Sequence, residues 1–168
     1  MTCIIDITTA ITIISDITNL NINLDDSYQP CVIRQIKDEQ LDPVLPKLQL
    51  EMNKYKKVMT QLIYDKTKQM IDKLGTISEI NRFDEFSKDI TIIEDIADDI
   101  IQYDPYNMGM YEKSLILTAH KYNYTVFTAN VSLIKKVSTL YNDIHIDVIL
   151  HSARSMFGNK NRLISYSQ

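Results

Sequence analysis

Three glycines are spread along the 168 residues, at Gly75, Gly109 and Gly158, and no two lie closer than 34 residues apart. A dinucleotide-binding turn needs three clustered glycines and a Walker loop needs two, so neither can form here. The glycine-flanked nucleophile elbow is missing as well, which removes a serine-hydrolase triad. What the chain has in abundance is isoleucine, 26 residues of it. With 45% hydrophobic and 24% charged residues, the composition is that of a globular protein. The length suits one domain covering residues 1–168.

Apolar runs are only a few residues long, so no transmembrane helix and no membrane partner are expected. The N-terminus has neither a basic region nor a cleavage site. Cys3 and Cys31 form no CxxC motif, so a zinc site or a disulfide framework is not expected. These features predict a cytoplasmic protein.

A net charge of −4 argues against gripping nucleic acid by bulk electrostatics. That sum hides an asymmetry. From Lys47 to Lys73 there are seven lysines against Glu51, Asp65 and Asp72. From Glu79 to Asp104 there are nine carboxylates against Arg82 and Lys88. Two neighbouring helices of opposite charge explain this simply. A second reading makes Lys54, Lys56 and Lys57 a patch contacting an RNA backbone, and a third has the acidic stretch dock a basic partner.

Along the chain, Cys3 to Ile5 reads as a short buried strand ending at Asp6. Ala10 to Ile17 is rich in β-branched residues and fits either helix or strand. Asn19 to Pro30 is a loop, Cys31 to Ile33 a second strand, and Arg34 to Gln40 one or two helical turns. Leu48, Met52, Tyr55, Met59, Leu62, Met70 and Leu74 predict a long amphipathic helix stopped by Gly75. Ile80, Phe83, Phe86, Ile90, Ile93, Ala97 and Ile100 predict another, ended by Asp104-Pro105. Then come a helix over Glu112 to Tyr122, a strand over Tyr124 to Thr128, a helix bearing Leu133, Ile134, Val137 and Leu140, and a strand over Ile144 to Leu150. Strands separated by helices predict an α/β fold, a three-layer α/β/α sandwich around a mainly parallel sheet, joined here by a long helical pair. The tail over residues 152–168, with Arg154, Lys160 and Arg162, reads as a frayed terminus. Cys3 and Cys31 read as small core residues on neighbouring strands. His120, His145 and His151 form no pattern.

Catalytic groups in parallel sheets sit beyond the carboxyl ends of the strands. Four positions reach such places together: Asp6 after the first strand, Glu39 beyond the second, Glu112 opening a helix, and Asn130 after Thr128-Ala129. Asp38 and Asp104 are the nearest substitutes if the register is shifted. The plain alternative is that all four are capping and loop residues.

The order of these motifs resembles the PIN domain, a family of metal-dependent nucleases that cut RNA. Ile4-Ile5-Asp6-Ile7-Thr8 is similar to that family's opening, Pro30-x-Val32 followed by Glu39 to its second acid, and Glu112 with Ala119 to its third. Thr128-Ala129-Asn130 stands where the family has Thr-x-Asp, and Val131 to Leu150 matches its ending. Residues 47–103 look like an enlarged helical insertion. The resemblance implies a metal-dependent endoribonuclease, a toxin of a toxin–antitoxin pair or an RNA-processing enzyme. Asp6, Glu39 and Glu112 would ligate Mg²⁺ or Mn²⁺, which prefer hard oxygen donors, and the metal would activate water. Thr8 and Thr128 would orient carboxylates through hydroxyl hydrogen bonds. RNA, a protein partner such as an antitoxin, and a second copy in a homodimer are the partners implied. The family's Asp is Asn at position 130, and its usual third Asp is Glu at position 112. These departures imply the alternative, a catalytically weak or inactive PIN-like domain that binds RNA or a protein partner.

Overall fold

The computed structural model describes residues 1–96, 108–140, 144 and 146–158. Among them a five-stranded sheet, every pairing parallel, runs in the order β3-β2-β1-β4-β5. Its strands are β1 (Thr2–Ile5), β2 (Lys56–Thr60), β3 (Ile90–Ile93), β4 (Thr125–Thr128) and β5 (Val148–Leu150). Eight helices are described: α1 (Ile7–Ile14), α2 (Asp16–Asn19), α3 (Pro30–Leu41), α4 (Leu45–Met52), α5 (Gln61–Leu74), α6 (Ile77–Ser87), α7 (Met110–Tyr122) and α8 (Val131–Leu140). From β1 the chain moves outward to β2 and β3, then crosses back to β4 and outward to β5 on the other side. Right-handed crossovers in two opposite directions place helices on both faces of the sheet. This is a three-layer α/β/α sandwich.

Both faces being covered at the centre of the sheet, the inner strands carry buried runs without alternation. Cys3, Ile4, Ile5, Met59 and Phe127 are completely buried, and Val58 and Val126 nearly so. At neutral pH the Cys3 thiol stays protonated, because burial pushes its pKa up to about 12. Cys31, by contrast, is exposed on α3.

Two long helices were expected across residues 47–103, and the structure corrects this. The first is broken into α4, β2 and α5. Met52, Tyr55, Met59 and Leu62 lie in four successive pieces of chain, and their helical spacing is coincidental. The better signal is the run Val58-Met59-Thr60, three consecutive buried residues, which a helical stripe cannot supply. Likewise α6 ends at Ser87 and β3 begins at Ile90; Ala97, Ile100 and Asp104 lie outside the described residues. Among the described residues of the expected helical insertion, Lys56–Thr60 and Ile90–Ile93 are two strands of the central sheet. Gly75 does close α5, where a Cβ would sit 2.7 Å from the Ile71 carbonyl oxygen.

The strand expected at Cys31 to Ile33 is the first turn of α3. Pro30 stands at its start, where a missing N–H matters least, and Val32, Ile36 and Glu39 form its buried stripe. The ambiguous stretch after Asp6 is helical, and the last strand is shorter than expected.

The tail is not frayed over residues 152–158. Arg154 and Phe157 are buried, and the segment crosses α1, α3 and α6 as an irregular strap. Ser15 donates to the Ser155 carbonyl at 2.7 Å, and the Ser155 N–H donates to Gln35 at 2.7 Å. Glu79, completely buried, accepts the N–H groups of Thr76, Asp16, Phe157 and Gly158 at 2.8–3.0 Å. One carboxylate therefore caps α6 and joins it to α2 and to the strap. Glu79→Ala leaves three buried donors and one half-buried donor without acceptors, each buried one worth about 1–3 kcal/mol. The expected loss is at least about 3 kcal/mol, read as a lower urea midpoint, with Glu79→Gln falling between the two. A midpoint unchanged in Glu79→Ala would show that the strap does not depend on this residue.

Candidate functional site

The strand order makes β1 and β4 neighbours whose outgoing connections run in opposite directions. A crevice at the carboxyl ends of such a pair is where open α/β sheets bind ligands. Asp6 directly follows β1 and Thr128 ends β4. The Asp6 carboxylate accepts from the Ile7 N–H at 2.7 Å, from the Thr8 hydroxyl at 2.9 Å and from the Thr128 hydroxyl at 2.6 Å. The two hydroxyls in turn accept the Ala129 and Asn130 N–H groups, each at 3.0 Å. Asp6, Thr8, Thr128 and Asn130 are therefore brought together, with the two threonines fixing the carboxylate. The Asn130 side-chain oxygen accepts the Leu133 N–H at 3.2 Å and caps α8.

Glu112, in the first turn of α7, lies 3.7 Å from Lys136 of α8, and its Oε2 is buried without a hydrogen-bond partner. Glu39 has a different fate. It is buried on α3, receives the Arg154 guanidinium at 2.9 Å and accepts the Val44 N–H at 3.2 Å. Its charge is spent on tying the strap to α3. The sequence offered no sign of this, because Arg154 stands 115 residues away in a segment without pattern.

A divalent centre built from the expected residues does not fit this arrangement. Glu39 is neutralised by a buried arginine, and the side-chain oxygen of Asn130 already holds a helix N–H. Among the described residues, no three His, Cys, Asp or Glu side chains gather in a metal-holding group. Of the substitutes, Asp38 is exposed on α3 and Asp104 lies outside the described residues. The lysines take no part in the crevice. Lys56 and Lys57 open β2, and Lys57 is level with Cys3, three residues before Asp6 on the neighbouring strand. At about 3.3 Å per residue, that is roughly 10 Å back along the sheet. Lys54 pairs with Glu51 at 3.0 Å.

Sequence reasoning missed two features of this edge. Beyond β2 and β3, Thr60 meets the Ser114 hydroxyl at 2.7 Å, and Ser114 donates to Asp95 at 2.6 Å. Asp95 also accepts the Leu62 N–H in the first turn of α5 at 2.9 Å. A strand ending at Thr60, like one ending at Asp6, was the available signal, hidden by reading residues 48–74 as one helix. The second feature is His151, which follows β5 and contacts Thr9 of α1 at 2.7 Å through Nε2. Burial holds its pKa below the usual histidine value, against the opposing pull of the Ser152 carbonyl and the Asp6 charge.

Two outcomes follow. Arg154→Met strands the buried Glu39 charge and should cost about 3–5 kcal/mol, whereas Glu39→Leu/Arg154→Met should recover most of it. Equal stability of the single and double variants would contradict the pairing. For His151, the folded state resists protonation, so its contribution is intact above about pH 6.5 and declines as pH falls toward its lower folded pKa. Wild type should therefore lose stability relative to His151→Gln on acidification in chemical denaturation. A difference between the two that is constant with pH would refute the shift.

Comparison with known proteins gives one family. No curated protein matches the sequence. The family model described as "Protein of unknown function (DUF1308)" matches residues 4–163, nearly the whole chain. The protein accordingly belongs to the DUF1308 family.

Proposed function

We propose that this chain is a PIN-like domain that binds RNA at the carboxyl edge of its sheet and has given up metal-dependent cleavage. The observation that carries the second half is the buried Glu39–Arg154 pair, at 2.9 Å, together with the capping role of Asn130. Two of the positions at which the resemblance places acids thereby serve the fold. The RNA half rests on the resemblance and on the polarity of the edge. Helices α1, α5 and α8 each begin directly after a strand, so their N-terminal dipole ends face the same side of the sheet. Such ends favour anions. Carboxylates of Asp6 and Asp95 occupy the first two, whereas the start of α8 carries only the neutral Asn130.

The test is RNA binding by fluorescence anisotropy, together with cleavage of the same structured RNA in Mn²⁺. Binding should weaken with salt. It should tighten severalfold in Asp6→Asn, which removes a negative charge from the edge, and stay unchanged in Lys56→Ala at the opposite end. No cleavage above the buffer control is expected from wild type. Mn²⁺-dependent cleavage abolished by Asp6→Asn would replace this reading with the nuclease one. Binding lost in Lys56→Ala would move the RNA surface to the other end of the sheet.

A further inference from the structure

His151 makes two ring contacts. Its Nδ1 lies 3.0 Å from the Ser152 carbonyl oxygen and its Nε2 lies 2.7 Å from the Thr9 hydroxyl. Thr9 is completely buried, and its hydroxyl is also 2.8 Å from the Phe127 carbonyl oxygen. That carbonyl accepts the Asp6 backbone N–H at 3.1 Å, the bond that continues the β1–β4 pairing to the candidate site.

Three contacts, His151 to Ser152, His151 to Thr9 and Thr9 to Phe127, require three hydrogens. The Thr9 hydroxyl has one and a neutral imidazole has one; only the imidazolium, with two, satisfies all three at once. When the ring is charged, Nδ1–H donates to Ser152, Nε2–H donates to Thr9, and Thr9 donates to Phe127. When it is neutral, the Ser152 carbonyl keeps the hydrogen on Nδ1, and the Thr9 hydroxyl turns to donate to the Nε2 lone pair. Phe127 then loses its second donor and retains the Asp6 N–H.

We propose that His151, Thr9 and the Phe127 carbonyl form a hydrogen-bond relay through which the protonation state of His151 sets the strength of the bond holding the Asp6 backbone. An acceptor shared by two donors binds each less strongly than one donor alone, so the Asp6 bond tightens when His151 releases its proton. His151 is a positioning residue here, acting on Asp6 through two intermediaries. The charged groups around it are few. Asp6 acts on it electrostatically across the crevice. On the α4 side, His151 lines a groove of about 520 Å³ whose charges, Asp42, Lys47 and Glu51, are paired as Asp42–Lys47 and Glu51–Lys54, each at 3.0 Å. Arg154, three residues on, is held by Glu39. The inference needs no RNA and no metal, and it stands or falls apart from the proposed function.

A pH titration of the ¹⁵N-labelled full chain by NMR tests it. The Asp6 amide proton should move downfield as pH rises, with the same midpoint as the His151 ring. Above that midpoint the ring nitrogens should show the Nδ1–H tautomer. Thr9→Ser should preserve the coupled shift, and Thr9→Val should abolish the part carried by the hydroxyl while leaving His151 to titrate. An Asp6 response of equal size in Thr9→Val and wild type would mean that the effect is through-space charge, and would overturn the relay. Should Thr9→Val not fold, the wild-type tautomer still decides: a neutral ring protonated on Nε2 contradicts the scheme.

Discussion

A parallel sheet sends the chain into a helix at the same edge each time a strand ends, and each helix start leaves N–H groups without intrahelical partners. In this protein there is almost no glycine to build open turns at those starts. Side-chain oxygens meet the need. At this edge Asp6 serves α1, Thr60 serves α5 and Asn130 serves α8; away from it Ser15 serves α2 and the Thr76–Glu79 capping box serves α6. The polar character of the carboxyl edge is first of all a consequence of this topology. Any chemistry there works with groups that also hold the fold.

That double duty explains how the acids differ. Asp6 stands at the switch point between β1 and β4, fixed by two threonine hydroxyls, one from the first turn of α1 and one from the end of β4. Glu79 and Glu39 have been drawn inward, the first by four backbone donors and the second by Arg154. Both hold the strap of residues 152–158 against the body of the domain. A buried carboxylate is stable only when donors or a cation compensate it, and the strap supplies both.

Much of this was legible in the sequence. The apolar run ending at Asp6, the helix from Glu112 to Tyr122, and the strand that ends at Thr128 were readable because each is bounded by a sharp change in polarity. The α/β class followed from their alternation. The middle of the chain was not. Met52, Tyr55, Met59 and Leu62 imitate a helical stripe, and a two-face-buried strand such as Lys56–Thr60 has no alternation to give it away. Cys31-Val32-Ile33 read as a strand because the run is short and apolar, whereas Pro30 starts a helix there whose packed face is Val32, Ile36 and Glu39.

The sequence by itself determined that strands and helices alternate, that glycine-loop phosphate binding is excluded, and that Asp6, Thr128 and Asn130 stand at strand ends. Those are local properties, set by composition and short-range pattern. Only the tertiary structure decided which acids remain available and which are consumed. That depends on partners brought from far along the chain, as Arg154 is to Glu39 and His151 to Thr9. A carboxylate's role is set by the donors and charges around it, and burial makes that dependence decisive.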